Sequence, residues 1–101
     1  MIELPVACTL AAEEMEGRRV DLLDTLAHAA LERRELEDGY ALRFAPEPGR
    51  VPELARVIEQ ERRCCAFLRF CLTVEPAGGP VWLELTGPAG TKEFLASMLQ
   101  P

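Results

Sequence analysis

Basic residues are scarce in this chain: 11 Lys and Arg stand against 17 Asp and Glu, a formal charge of -6. Proteins that grip a nucleic-acid backbone gather Lys and Arg to displace its counterions, so no nucleic-acid partner is expected. The arginines fall in short pairs (Arg18 with Arg19, Arg33 with Arg34, Arg62 with Arg63) beside acids, and read as solvated or ion-paired faces. Long apolar runs are missing too. Arg69 interrupts the most apolar segment, so no stretch reaches the ~18 uncharged residues that cross a bilayer, and no membrane partner is expected. Low-complexity tracts are absent, and 49 % apolar with 28 % charged residues describes a chain that folds.

Histidine occurs once, and His28 reads as a surface or boundary residue rather than a metal ligand. The segment Gly-Pro-Ala-Gly-Thr-Lys, residues 87–92, lacks the G-x-x-x-x-G-K-[ST] spacing of a phosphate loop and reads as a turn before a capped helix. A leader is not evident either. Cys8 in Leu-Pro-Val-Ala-Cys has the look of a lipoprotein cleavage site, yet Glu3 precedes it and no basic residue does. The expected location is the cytosol, where four cysteines point to metal, redox chemistry or core packing rather than disulfides.

What is present is a pattern of short elements. Residues 2–8 alternate Ile2, Leu4, Val6 and Cys8 on one face, as a strand with Pro5 suiting an edge. Thr9 can cap the stretch that follows, Gly17 breaks it, and Leu22, Leu23, Leu26 and Ala30 recur at helical spacing over about 18–31. An Asp38-Gly39 turn introduces a strand with Tyr40, Leu42 and Phe44 on one face, and Arg34 to Leu36 offer a hairpin arm. A second helix is expected over about 51–65, with Pro52 in its first turn. Phe70, Leu72 and Val74 then face Val81, Leu83 and Leu85 across an Ala-Gly-Gly-Pro turn, and Thr91 can cap a terminal helix.

These elements predict an α+β fold. The expected form is a single domain over residues 1–101: a two-layer sandwich with a four- or five-stranded sheet and about three helices on one face. The other sheet face would carry Arg43, Cys71, Thr73, Trp82 and Glu84, and is either solvated or the interface of a homodimer.

The chemistry gathers at Glu-Arg-Arg-Cys-Cys-Ala-Phe, residues 61–67. On a helix advancing about 100° per residue, Leu54, Val57, Ile58, Glu61, Cys64, Cys65 and Leu68 share one broad arc, so Glu61 faces the core. Three and four residues separate it from Cys64 and Cys65, which places its carboxylate on the same side as both thiols. Cys8 has the parity of the strand face that meets the helices, whereas Cys71 has the opposite parity. The candidate site is therefore Cys8, Cys64, Cys65 and Glu61.

Three thiols and a carboxylate suit a soft ion in kind, zinc, copper or mercury, or a metalloid. Adjacent cysteines diverge on a regular helix, so both reach one ion only if the helix unwinds at Cys65. A thiol oxidoreductase would instead exchange between Cys8 and Cys64 or Cys65, with Glu61 as a buried proton acceptor. Cysteine is also among the most buried residue types, so the thiols read equally as packing alone in a non-enzymatic module. Glu61 has a corresponding plain role, a buried salt bridge to Arg18, Arg19 or Arg62, or hydrogen bonds to the backbone of the next element.

The run E-R-x-C-C-x-F, carried by Glu61, Arg62, Cys64, Cys65 and Phe67, together with Asp-Gly-Tyr-Ala-Leu-Arg-Phe from Asp38 to Phe44, resembles a group of small, poorly characterised bacterial proteins. The similarity covers most of the chain, from Cys8 to Leu95. That group is associated with heavy-metal resistance contexts, and the resemblance implies a metal-related role.

Overall fold

The computed structural model describes residues 24–98. Within them the chain runs α1 (Asp24–Ala29), β1 (Glu32–Leu36), β2 (Gly39–Phe44), α2 (Arg50–Cys64), β3 (Arg69–Val74), β4 (Val81–Thr86) and α3 (Thr91–Met98). The fold is α+β: the four strands form one antiparallel sheet in the order β1-β2-β4-β3. The expected fifth strand, residues 2–8, and the stretch from Thr9 through Gly17 lie outside the described residues. About three helices were expected; among the described residues there are two of more than two turns, α2 and α3, and the six-residue α1.

β4 lies inside the sheet, between β2 and β3, and alternates cleanly. Val81, Leu83 and Leu85 are buried while Trp82, Glu84 and Thr86 are half-buried on the reverse. Register then sets Leu42, Leu83 and Leu72 in one row and Phe44, Val81 and Val74 in the next. Leu26 of α1, Leu54 and Val57 of α2, and Leu95 of α3 close over this face in a single buried cluster. Each such side chain is stabilised by about 1.5–3 kcal/mol relative to exposure.

Three local expectations are corrected. The helix over 18–31 ends at Ala29, because Leu31 N–H donates to Arg43 O at 2.7 Å and Glu32 already pairs with Arg43. Ladder pairing with β2 here outweighs helical spacing. The turn predicted at Asp38-Gly39 is shifted by one residue: Leu36 pairs with Gly39, so Glu37 and Asp38 form the loop and Gly39 opens β2. Glycine is required there for space. A Cβ on Gly39 would sit 1.8 Å from the carbonyl oxygen of Leu85, on the neighbouring strand. Thr91 also differs from its expected role: it is the first residue of α3, and its hydroxyl donates to Pro88 O at 2.6 Å.

The reverse face of the sheet carries a network of exposed charges. Arg34 Nη2 and Arg43 Nε each donate to Glu32 at 3.0 Å, and the Arg34 guanidinium lies over the Trp82 ring, 4.8 Å from its centroid. Lys92 of α3 pairs with Glu35 of β1.

Gly39→Ala is expected to destabilise the fold by about 2–4 kcal/mol, since the obstacle is backbone and cannot yield as a side chain would; a shift of the urea midpoint at constant slope measures it. A second expectation concerns acid. The Arg34 hydrogen bond, with that of Arg43 next, holds the Glu32 carboxyl below its ordinary value. A depressed folded value gives a contribution that is present above the unfolded value and lost as pH falls through the folded one. Between about pH 5 and pH 3, therefore, the urea midpoint of the wild type should fall more steeply than that of Glu32→Gln. Parallel curves would show that the contact adds nothing in solution.

Candidate functional site

The stripe of α2 that faces the sheet runs Leu54, Val57, Glu61, at the spacing of one helix face. Glu61 thus takes a place where the pattern calls for an apolar residue. Its side chain is 1 % exposed, as is that of Cys65 one turn further on. The Cys65 thiol donates to Glu61 Oε2 at a sulfur–oxygen distance of 3.8 Å. The same two residues close the helix through their backbones, Cys65 N–H donating to Glu61 O at 2.7 Å.

Winding stops at this point. Cys64 is the last residue of α2, and Cys65 takes φ -122° and ψ 76°, outside the helical region. Leu68 N–H then bonds Cys65 O at 3.1 Å, turning the chain toward β3. Phe67 is buried in this turn and meets Phe94 of α3 edge to face, with ring centroids 5.1 Å apart. Every described side chain of the Glu61, Cys65, Phe67 series therefore points inward, and α3 holds the turn in place.

Of the predicted site residues, the structure brings together Glu61 and Cys65. Cys64 is described in its backbone alone, and Cys8 lies outside the described residues. Cys71 is exposed on β3, opposite Glu84 on the reverse sheet face. Among the described residues no group of three or more His, Cys, Asp or Glu could hold a metal ion. Arg62, one candidate partner for Glu61, is exposed and donates instead to Glu59 at 3.3 Å; Arg18 and Arg19 lie outside the described residues.

Two surface depressions of about 350 Å³ each lie elsewhere. One surrounds the start of α3, with Glu37, Asp38 and Lys92; the other surrounds the start of α2, with Glu47, Arg50 and Glu53. Neither borders Glu61 or Cys65. Among the described residues, no helix is long and apolar enough to cross a membrane.

Sequence reasoning did not anticipate the clasp of Phe67 on Phe94 or the placement of Arg34 over Trp82. The first had a weak signal, an aromatic two residues beyond the cysteines. The second depends on the register of β1, which the helical reading of residues 18–31 partly obscured.

No family model matches the chain, and neither does any curated protein or solved structure.

The thiols of Cys65 and Cys71 should differ sharply in access. Pulsed alkylation of the folded, reduced protein with peptide mapping is expected to modify Cys71 at the rate of a free thiol. Cys65 should react at least about a hundred-fold more slowly, keeping pace with opening of the α2 end. Equal rates would place the Cys65 thiol in solvent.

Proposed function

We propose that this chain binds a soft metal or metalloid ion, of the zinc, copper or mercury kind, through Cys8, Cys64 and Cys65, with Glu61 as a fourth ligand or as an acceptor beside them. One observation carries the reading: a carboxyl and a thiol are paired in the buried end of α2, where the helix stops at Cys65. On a continuous helix Cys64 and Cys65 would diverge by about 100°. Non-helical backbone at Cys65 lifts that restriction. A fifth strand formed by residues 2–8, with Cys8 at its end on the face toward the helices, would supply the third thiol.

The pairing favours ion binding over thiol redox chemistry. Like-charge repulsion opposes a thiolate beside a carboxylate, so the pair is a poor design for a low-pKa nucleophile. An ion between the two groups reverses that balance: it is attracted to both, and binding releases the thiol protons. Soft thiolates set the selectivity, because they favour Cu(I), Zn(II) and Hg(II) over hard, oxygen-seeking ions. Glu61 in this role is already desolvated, so no hydrated carboxylate has to be stripped when the ion enters.

Native mass spectrometry of the reduced protein with Hg(II), Zn(II), Cu(I) and arsenite tests the proposal. One ion retained per chain is expected, lost in Cys65→Ser, Cys64→Ser and Cys8→Ser and kept in Cys71→Ser. Glu61→Gln should weaken affinity by about 10–100-fold with an unchanged melting temperature. If no ion is retained and the Cys8, Cys64 and Cys65 thiols stay unreactive until denaturation, those cysteines only pack. A loss of stability in Glu61→Gln with unchanged affinity would assign the carboxyl to a structural pair.

A further inference from the structure

The two edges of the sheet are unlike. β1 carries Glu32, Arg33, Arg34 and Glu35 within five residues, the charged pattern that keeps an edge from pairing with another chain. β3, Arg-Phe-Cys-Leu-Thr-Val, has one charge, Arg69, at its first position, and no proline. Its pairing with β4 runs unbroken from Arg69↔Thr86 to Val74↔Val81, so no bulge twists it away. Among the described residues, no strand lies against its outer side.

Val74 sharpens the point. It has the parity of the core face and sits opposite Val81, which is 2 % exposed, yet Val74 itself is 56 % exposed. Phe70 and Leu72 of the same strand pack against the core, so the uncovered part of this edge is its Val74 end.

The ladder shows which groups of β3 point outward. Glu75 N–H donates to Pro80 O at 3.2 Å, so Glu75, Thr73, Cys71 and Arg69 turn their amides and carbonyls toward β4. Phe70, Leu72 and Val74 turn theirs outward.

We infer that β3 pairs with β3 of a second copy of this chain, antiparallel about a two-fold axis at Leu72, so that the two sheets run on as one. In that register Leu72 and the partner's Leu72 exchange hydrogen bonds, as do Phe70 and the partner's Val74. Phe70 thereby covers the exposed Val74. Arg69 falls opposite the partner's Glu75, twice by symmetry, in the close non-hydrogen-bonded position. Both are exposed, and among the described residues neither belongs to an ion pair. Charge complementarity selects this register. A two-fold at Cys71 would set Arg69 across from the partner's Thr73 and leave Glu75 with no opposite charge. The reverse sheet face is a weaker candidate for the same partner, since Arg34 already lies over Trp82 there. Pairing through one strand of six residues belongs with the smallest interfaces, below about 1,200 Å², so the dimer is expected to dissociate on dilution.

Sedimentation velocity over a concentration series tests this, with circular dichroism confirming that each surface variant is folded. The wild type should show a reversible monomer–dimer equilibrium. Glu75→Arg should raise its Kd about ten-fold by setting like charges opposite each other at two places. The double variant Arg69→Glu with Glu75→Arg should return Kd to within about three-fold of the wild type. Under diamide, Thr73→Cys should give a covalent dimer in which the introduced thiol is joined to Cys71 of the other chain. A monomer at every concentration, a Kd indifferent to the charge swap, or oxidation of the wild type through Cys71 to Cys71 would overturn the register and the inference. None of these readouts depends on metal binding.

Discussion

Burial of β4 between β2 and β3 is the constraint from which the rest of this structure follows. Leu42, Leu83 and Leu72 form one apolar row across three strands, and Phe44 with Val81 forms the next. A sheet face of that breadth must be covered. α2 supplies the cover with Leu54 and Val57, and its stripe then arrives at Glu61 and Cys65 whether or not those positions are apolar. The thiol–carboxyl pair is thus buried by the packing of its neighbours. Desolvating a carboxyl costs several kcal/mol when nothing compensates it. Cys65 supplies one hydrogen bond to that carboxyl, and the burial of the two together is the observation behind the proposed ion site.

The periodic parts of the fold were legible before the structure was known. Tyr40, Leu42 and Phe44, the Phe70 to Val74 strand, the Val81 to Leu85 strand and α2 each announced themselves by spacing, because their burial is one-sided and their parity is therefore strict. What spacing could not reveal was competition between elements. Residues 30 and 31 fit a helix as well as a strand, and only the hydrogen bond from Leu31 to Arg43 decides between them. Asp38-Gly39 has the composition of a hairpin turn, but Gly39 answers to the Leu85 carbonyl on another strand, a constraint set from far along the chain.

The candidate site was legible to a similar depth. An i, i+4 separation placed Glu61 beside Cys65, and the helical arc placed both in the core; the geometry agrees. That the helix would stop between the two cysteines was a condition drawn from chemistry, and backbone angles at Cys65 meet it. Contributions from Cys8 and from the Cys64 side chain rest on pattern alone. Phe67 shows why such a site is hard to read in one dimension: its part in closing the turn depends on Phe94, which belongs to the last helix.

Strand order carries a consequence for how the molecule is made. β1 with β2, and β3 with β4, are local hairpins, each joining strands close in sequence, whereas the seam between β2 and β4 brings together segments separated by all of α2 and β3. Local pairs form early and the long loop closes late, since its entropy must be overcome before distant contacts reward it. The corner that holds Glu61 and Cys65 lies within the segment that the seam closes. Assembly of the two halves and burial of the Glu61–Cys65 pair therefore belong to one event, and a chain stalled before it would leave Cys65 open to solvent and to oxidation.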